Sequence, residues 1–280
     1  MLNIGLRAHD YGTNVTVEKL TEILAPFQPV SIQLALEKSL SDAPQPGSIN
    51  TGYARHVQQA LQKQNIAVAV LGCYINPVHP NPDIRQTHLC RFKEHLRFAR
   101  DFGCAMVGTE TGSCNADCSW HPDTEKSATF DLFCLSLERL LNIAEKCGSI
   151  VAIEAVADQH VISTIEKVEQ ILRRCASPAL KIIYDPVNLI PQAGLSEKQS
   201  EFFIRAFDAF GKDIAAVHAK DFRIENGRKI GALPAGTGEL DYKSLLPLIM
   251  ERKPGIDILL ENTTPANGQA AINYLRQIAS

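Results

Sequence analysis

Short apolar runs alternate along the chain with longer segments in which apolar residues recur at helical spacing. Eight of the short runs are rich in Val, Ile and Leu without strict alternation with polar residues, a pattern typical of parallel strands buried on both faces. We predict these strands at residues 4–8, 31–36, 67–73, 105–109, 150–155, 180–184, 214–218 and 257–260.

The segments between these runs predict amphipathic helices. Leu89, Phe92, Leu96 and Ala99 form one apolar stripe at helical spacing, and similar stripes follow later in the chain. Strict alternation of strand and helix implies parallel strands joined by right-handed crossovers, and eight such units predict a (β/α)8 TIM barrel. No G-x-G-x-x-G follows the first strand, which disfavours a dinucleotide-binding doubly wound sheet. No linker-like stretch interrupts the pattern, so we predict one domain over residues 1–280.

Composition narrows the classes of partner. The chain has 28 basic and 31 acidic residues and a net charge of −3, which leaves no basic surplus to neutralise phosphates. We therefore expect no nucleic-acid partner. The longest apolar run, residues 66–75, is too short to span a bilayer, so no membrane association is expected. The eight cysteines fall mostly within the strand and helix patterns, which favours free thiols and a cytoplasmic location.

The last four predicted strands each end in a residue type that binds metals. These residues are Glu154, Asp185, His218 and Glu261. A single carboxylate at a strand end is more often a helix cap or an ion-pair partner. Four on neighbouring strands converge at the C-terminal mouth of a barrel, where active sites of this fold lie. Three oxygen donors and one nitrogen donor suit Mn²⁺, Mg²⁺ or Co²⁺, with Zn²⁺ as a further alternative. The sequence therefore predicts one divalent metal ion.

The chain resembles the xylose isomerase-like TIM barrel superfamily of sugar isomerases and epimerases from Ile4 to Ile278. This superfamily includes tagatose/psicose 3-epimerases, inosose dehydratases and hydroxypyruvate isomerases, with endonuclease IV as a distant relative. The resemblance rests on five short motifs: Ile153-Glu154, Tyr184-Asp185-Pro186-Val187-Asn188, Val217-His218-Ala219-Lys220-Asp221, Gly236-Thr237-Gly238-Glu239-Leu240-Asp241 and Leu260-Glu261. It implies that the four strand-end residues hold one divalent cation.

This resemblance implies a metal-dependent isomerase or epimerase of carbohydrate metabolism, acting on a small sugar or a polyol-derived carbonyl compound. Glu154 and Glu261 would serve as catalytic residues on the two faces of a metal-stabilised enediolate, one removing a proton and the other returning it. Three alternatives stay open. They are an inosose-type dehydratase on the same metal site, an endonuclease IV-like phosphodiesterase, and a barrel that binds a sugar or a partner without catalysis.

Further residues near the predicted mouth are candidates for substrate binding: His9, His79, Glu110, Asn188, Lys220 and Arg223. Strand periodicity points Lys220 to the same side as His218, where it would polarise a substrate oxygen or neutralise the carboxylates.

The sequence departs from the epimerase pattern at two places. Asn188 stands where a His is usual, and Ile224, next to Arg223, stands where an Arg is usual. A homodimer or homotetramer is the expected assembly.

Overall fold

Eight parallel strands close into a barrel in the computed structural model, which describes residues 2–280. Around the barrel the strands run in the order β1, β10, β7, β6, β5, β4, β3, β2, and a separate hairpin consists of β8 and β9. The strands are β1 Asn3–Arg7, β2 Ser31–Leu34, β3 Ala67–Gly72, β4 Met106–Glu110, β5 Ile150–Glu154, β6 Leu180–Tyr184, β7 Ile214–Ala219, β8 Asp221–Glu225, β9 Arg228–Leu233 and β10 Asp257–Leu260.

Helices fill the connections between barrel strands and cover the outside of the sheet. They are α1 Val17–Leu24, α2 Leu36–Ser39, α3 Thr51–Gln62, α4 Pro82–Phe98, α5 Ser127–Cys147, α6 Ile165–Cys175, α7 Pro186–Leu189, α8 Gln199–Phe210, α9 Tyr242–Arg252 and α10 Gly268–Ile278. None of those within residues 2–280 is both long and apolar enough to cross a membrane.

The predicted TIM barrel is confirmed, and each of the eight predicted strands forms one strand of the barrel. For these eight strands, the predicted and observed bounds differ only at the strand ends. The predicted second strand runs to residue 36, but β2 ends at Leu34 because α2 begins at Leu36. Residue 8 was expected in the first strand, yet Ala8 begins a 3-10 helix that extends to Asp10. At the end of a strand, the turn that comes next sets the backbone conformation, and the apolar pattern does not.

The hairpin of β8 and β9 was not predicted from the sequence. It lies between the end of β7 and the loop that leads to α9, and its two strands pair antiparallel. Asn226 and Gly227 connect them, both with positive φ, 52° and 73°. An Asn-Gly pair between two strand-forming runs is a strong hairpin signal, because both residues tolerate the left-handed conformation of this turn. That signal was present in the sequence.

The strand order brings the predicted ligands to one side of the mouth. β5, β6, β7 and β10 are consecutive neighbours around the barrel. Glu154 closes β5 and lies in register with Glu110 at the end of β4. His218 on β7 pairs with Leu259 on β10, two residues before Glu261. Side chains from these strand ends therefore share one small volume at the C-terminal face.

Candidate metal centre

Glu154, His218 and Glu261 converge at the mouth of the barrel. One ligand atom from each lies within 4.8 Å of the others, and all three residues are buried. Nδ1 of His218 lies 3.2 Å from Oε2 of Glu154 and 3.3 Å from Oε1 of Glu261. Within residues 2–280 this is the one group of three or more His, Cys, Asp or Glu side chains arranged to hold a metal ion.

The donor set fits a divalent cation. Nε2 of His218 lies 2.6 Å from Oε1 of Gln33, so Nδ1 is the ring nitrogen that is turned towards the two carboxylates. That nitrogen has no hydrogen-bond partner and faces two carboxylates. Burial alone lowers the pKa of His218, but Glu261 and Glu154 outweigh it and raise that pKa to about 9. A divalent cation bound between these groups would take the place of that proton and balance the same two carboxylates.

Asp185 lies beside these three residues, and its carboxylate is bound to other groups. Oδ1 accepts the backbone N–H of Asn188 at 2.9 Å. Oδ2 lies 2.7 Å from Nζ of Lys220, which is also 2.9 Å from Oε2 of Glu261. Burial lowers the pKa of Lys220, and Asp185 and Glu261 more than compensate and raise it. Lys220 thus neutralises two of the four predicted ligands.

Asn188, predicted to bind substrate, contacts the metal centre directly. Its Nδ2 donates to Oε1 of Glu154 at 2.5 Å, and its backbone carbonyl oxygen accepts the backbone N–H of Ala157. The side chain therefore fixes one carboxylate oxygen of Glu154 and leaves Oε2 towards His218. Asn188 holds the carboxylate that the sequence assigns to proton transfer.

Arg7 is a site residue that the sequence analysis missed. It ends β1, and Nη1 lies 2.8 Å from Oε1 of Glu261. Its Nε and Nη2 bind both carboxylate oxygens of Asp10 at 2.9 Å. Burial raises the pKa of Glu261, but Lys220, His218 and Arg7 together outweigh it and hold that pKa well below its usual range. Arg7 occupies a strand end, so its position at the mouth was readable from the sequence.

His160 is a second residue that the sequence analysis missed. It lies on the loop after β5 and is almost fully buried, and neither ring nitrogen has a hydrogen-bond partner. Nε2 lies 3.9 Å from Oε2 of Glu110. Burial lowers the pKa of His160 to about 4, whereas burial and then Glu261 raise the pKa of Glu110. No sequence pattern distinguishes this His from a surface residue.

The remaining predicted substrate contacts are His9, His79 and Arg223, and the partners of each are as follows. His9 packs edge-on against Tyr74, with ring centroids 5.9 Å apart, and burial lowers the pKa of His9 to about 3. His79 accepts the backbone N–H of Asn81 at 3.1 Å, within the loop that begins α4. Arg223 is exposed on β8 and pairs with Glu225. His79 and Arg223 thus make their contacts outside the cluster.

Hydrogen bonds between Asp221 and the Gly236–Asp241 motif hold the β8–β9 hairpin in place. Asp221 accepts the backbone N–H groups of Phe222 and Leu240 at 2.9 Å and of Gly236 at 3.0 Å. A Cβ on Gly238 would collide with the carbonyl oxygen of Phe222 and lie 2.5 Å from Oδ1 of Asp221. This motif therefore has a structural role, in which glycine is required by close packing.

The chain belongs to the xylose isomerase-like TIM barrel family, whose model matches residues 31–278. Solved structures share the fold at low identity. D-psicose 3-epimerase from Clostridium cellulolyticum H10, solved with D-tagatose, has a TM-score of 0.73 at 13% identity, covering 99% of both chains. The IOLI protein with a bound zinc atom has a TM-score of 0.72 at 17% identity, covering 99% of this chain and 96% of that one.

A xylose isomerase-like TIM barrel protein from Mycobacterium smegmatis in complex with magnesium has a TM-score of 0.71 at 13% identity, covering 100% of this chain and 97% of that one. No curated protein sequence matches the chain. At these identities the likeness shows the fold alone.

Proposed function

We propose that the protein is a divalent-metal-dependent isomerase or epimerase acting on a small sugar or a polyol-derived carbonyl compound. The observation that carries this proposal is the convergence of Glu154, His218 and Glu261, with the unpartnered Nδ1 of His218 facing both carboxylates. Neighbours solved with zinc and with magnesium support a divalent ion. The oxygen-rich donor set, with Asp185 beside it, favours Mn²⁺, Mg²⁺ or Co²⁺.

The residues around the candidate metal centre would have separate roles in a proton transfer. A bound divalent cation would polarise the carbonyl oxygen and the adjacent hydroxyl oxygen of the substrate. This would acidify the hydrogen on the hydroxyl-bearing carbon next to the carbonyl. A carboxylate within reach removes that proton and a second group returns it. Lys220, held by Asp185 and Glu261, would supply a positive charge to a substrate oxygen bound at this mouth.

The two candidate proton carriers, Glu154 and Glu261, are not equivalent. Glu261 lies against two permanent cations, Arg7 and Lys220, which hold its pKa low and make it a weak base. Glu154 has instead the neutral amide of Asn188 on one oxygen. We therefore assign the first proton removal to Glu154, and assign to Glu261 mainly the binding of the cation.

An inosose-type dehydratase is the second candidate, because it needs the same metal and the same base. It differs in that the electron pair left by proton removal expels a neighbouring hydroxyl instead of being reprotonated on carbon. A phosphodiesterase of the endonuclease IV kind would need several metal sites, and residues 2–280 contain one such cluster. The isomerase and the dehydratase therefore remain as the proposal and its alternative.

The test begins with metal content. Chelator-treated protein is dialysed against Mn²⁺, and the bound metal is measured per chain. About one ion per chain supports the proposal, and none overturns it. A screen of ketoses and inososes follows, with Glu154→Gln compared with Glu22→Gln on the exposed side of α1. Turnover lost in Glu154→Gln with metal retained supports the assigned base, whereas undiminished turnover contradicts it.

A further inference from the structure

A buried hydrogen-bond relay lies behind His218, on the side opposite the carboxylates. Gln33 on β2 reaches across the barrel interior, with β1 and β10 intervening before β7. Its Oε1 lies 2.6 Å from Nε2 of His218, and its Nε2 donates to the hydroxyl oxygen of Tyr74 at 2.8 Å. Gln33 and His218 are only 2% and 1% exposed, so water does not compete for the bond between them.

The relay determines which nitrogen of His218 faces the carboxylates with a free lone pair. A neutral imidazole carries one proton, and the bond made by one nitrogen sets the role of the other. An acceptor at Nε2 keeps the proton there and leaves Nδ1 free towards Glu154 and Glu261. Without that acceptor the proton is free to move to Nδ1, where it would block a metal–nitrogen bond.

Tyr74 binds the other end of the Gln33 amide, and further residues pack against Tyr74. The edge of the His9 ring packs against Tyr74, and Nζ of Lys38 lies 3.7 Å from the centroid of its ring. With Nε2 of Gln33 held by the Tyr74 hydroxyl, Oε1 is the end that meets His218. Packing around Tyr74 thus holds in place the hydroxyl that accepts from the Gln33 amide.

We propose that Gln33 is a positioning residue that selects Nδ1 of His218 as the metal-binding nitrogen. This inference rests on the metal site of the proposed function and assigns to Gln33 no contact with metal or substrate. Acceptors that bind the second nitrogen of a ligating His commonly change metal affinity by about 10- to 100-fold. The same effect is expected of Gln33.

The test uses Co²⁺ alone, titrated calorimetrically into the full chain and followed by the visible absorption of the bound ion. Gln33→Met keeps the side-chain volume and removes the acceptor, whereas Gln33→Glu keeps an oxygen acceptor. Ser31→Ala is the matched control, because it removes a partly buried hydrogen bond from the same strand, to Asp257 and not to His218. Circular dichroism and urea unfolding of the metal-free proteins verify that each variant is folded.

The expected result is a Co²⁺ dissociation constant raised roughly 10- to 100-fold in Gln33→Met. Gln33→Glu should restore binding to the wild-type range, and Ser31→Ala should match the wild type. Equal Co²⁺ affinity in Gln33→Met and wild type overturns the inference and leaves the proposed function intact. A wild-type chain that binds no Co²⁺ overturns the proposed function, and a metal-free measurement then decides the inference.

That measurement is ¹⁵N NMR of the histidine rings in the metal-free protein under alkaline conditions, where imidazoles are neutral. His218 is assigned with a His218→Gln variant. A proton on Nε2 in the wild type, and a mixture of tautomers in Gln33→Met, supports the relay. A mixture in the wild type, or an unchanged Nε2 proton in Gln33→Met, overturns it.

Discussion

The ammonium group of Lys220 and the carboxylate of Asp185 form a buried ion pair, with Nζ 2.7 Å from Oδ2. Both side chains are less than a tenth exposed. Because the same ammonium also binds Glu261, one lysine compensates carboxylates from β6 and β10. The charge balance of the metal-free centre therefore depends on this residue.

Replacing Lys220 with Met should lower the free energy of unfolding of the metal-free protein by about 3–5 kcal/mol, because Asp185 loses its cationic partner and Glu261 keeps only Arg7. Mn²⁺ should recover more of that stability in the variant than it adds to the wild type, since it compensates the freed charges. Urea unfolding with and without Mn²⁺ measures both effects.

Lys181→Met provides the control for this experiment. Lys181 forms an ion pair of similar length with Asp213, 2.8 Å, but both side chains are partly exposed. Its loss should cost about 1 kcal/mol or less. Equal losses in the two variants would show that burial of the Lys220 pair contributes nothing.

Substitution of a residue in the candidate metal cluster should weaken metal binding, whereas substitution of a nearby carboxylate should leave it almost unchanged. Glu261→Ala and His218→Ala each remove a converging ligand atom, and should weaken Mn²⁺ binding by roughly 100-fold or more, about 3 kcal/mol. Glu110→Ala removes a carboxylate of the adjacent strand that is not among those atoms, and should change the affinity by less than about threefold. Calorimetric titration measures all three. A loss in Glu110→Ala equal to that in Glu261→Ala would mean that the cation lies nearer β4.

The strands and the candidate ligands were predictable because both are local features. A run such as residues 150–154 shows in its own letters a buried strand that ends in Glu154. Once the barrel is assumed, the end of each strand is placed at the mouth. The convergence of Glu154, His218 and Glu261 then needs only the order of the strands.

The partners of those ligands were not predictable, because they join distant parts of the chain. Arg7 and Glu261 are 254 residues apart, and Gln33 and His218 are 185 apart. Which side chains meet across a barrel depends on register and on rotamers, and neither leaves a trace in a single sequence. Lys220 illustrates the point, since periodicity puts it on the same side as His218 but says nothing of its bond to Asp185.

Gly238→Ala should destabilise the attachment of the hairpin. The added methyl group has no room between the carbonyl oxygen of Phe222 and Asp221, so we expect a loss of about 2–4 kcal/mol or local unfolding of residues 221–240. Gly231→Ala on β9 is the control, because its nearest neighbour would be Val187 at an ordinary 3.8 Å. Hydrogen exchange of the hairpin and urea unfolding measure the difference. Similar exchange in both variants would contradict the structural role of the Gly236–Asp241 motif.

His160→Leu should not lower the free energy of unfolding at neutral pH, and should raise it by up to about 1 kcal/mol. Both ring nitrogens of His160 are buried without partners, so an apolar residue removes two unmet polar groups. His95→Leu is the control, because His95 is equally buried but its Nδ1 bonds the carbonyl oxygen of Arg91 at 2.9 Å. That variant should lose about 1 kcal/mol.

His160→Leu should also make the free energy of unfolding less dependent on pH below neutrality. The pKa of His160 is lowered from 6.5 to about 4 in the folded chain, so between these values the unfolded chain binds a proton that the folded chain does not. Stability therefore falls as pH falls from about 6.5 to about 4, by up to roughly 3 kcal/mol from this residue. His9, whose pKa is lowered to about 3, acts in the same direction and remains in the variant. Urea unfolding across this pH range should give a shallower decline in His160→Leu, and an unchanged decline would place His160 in contact with water.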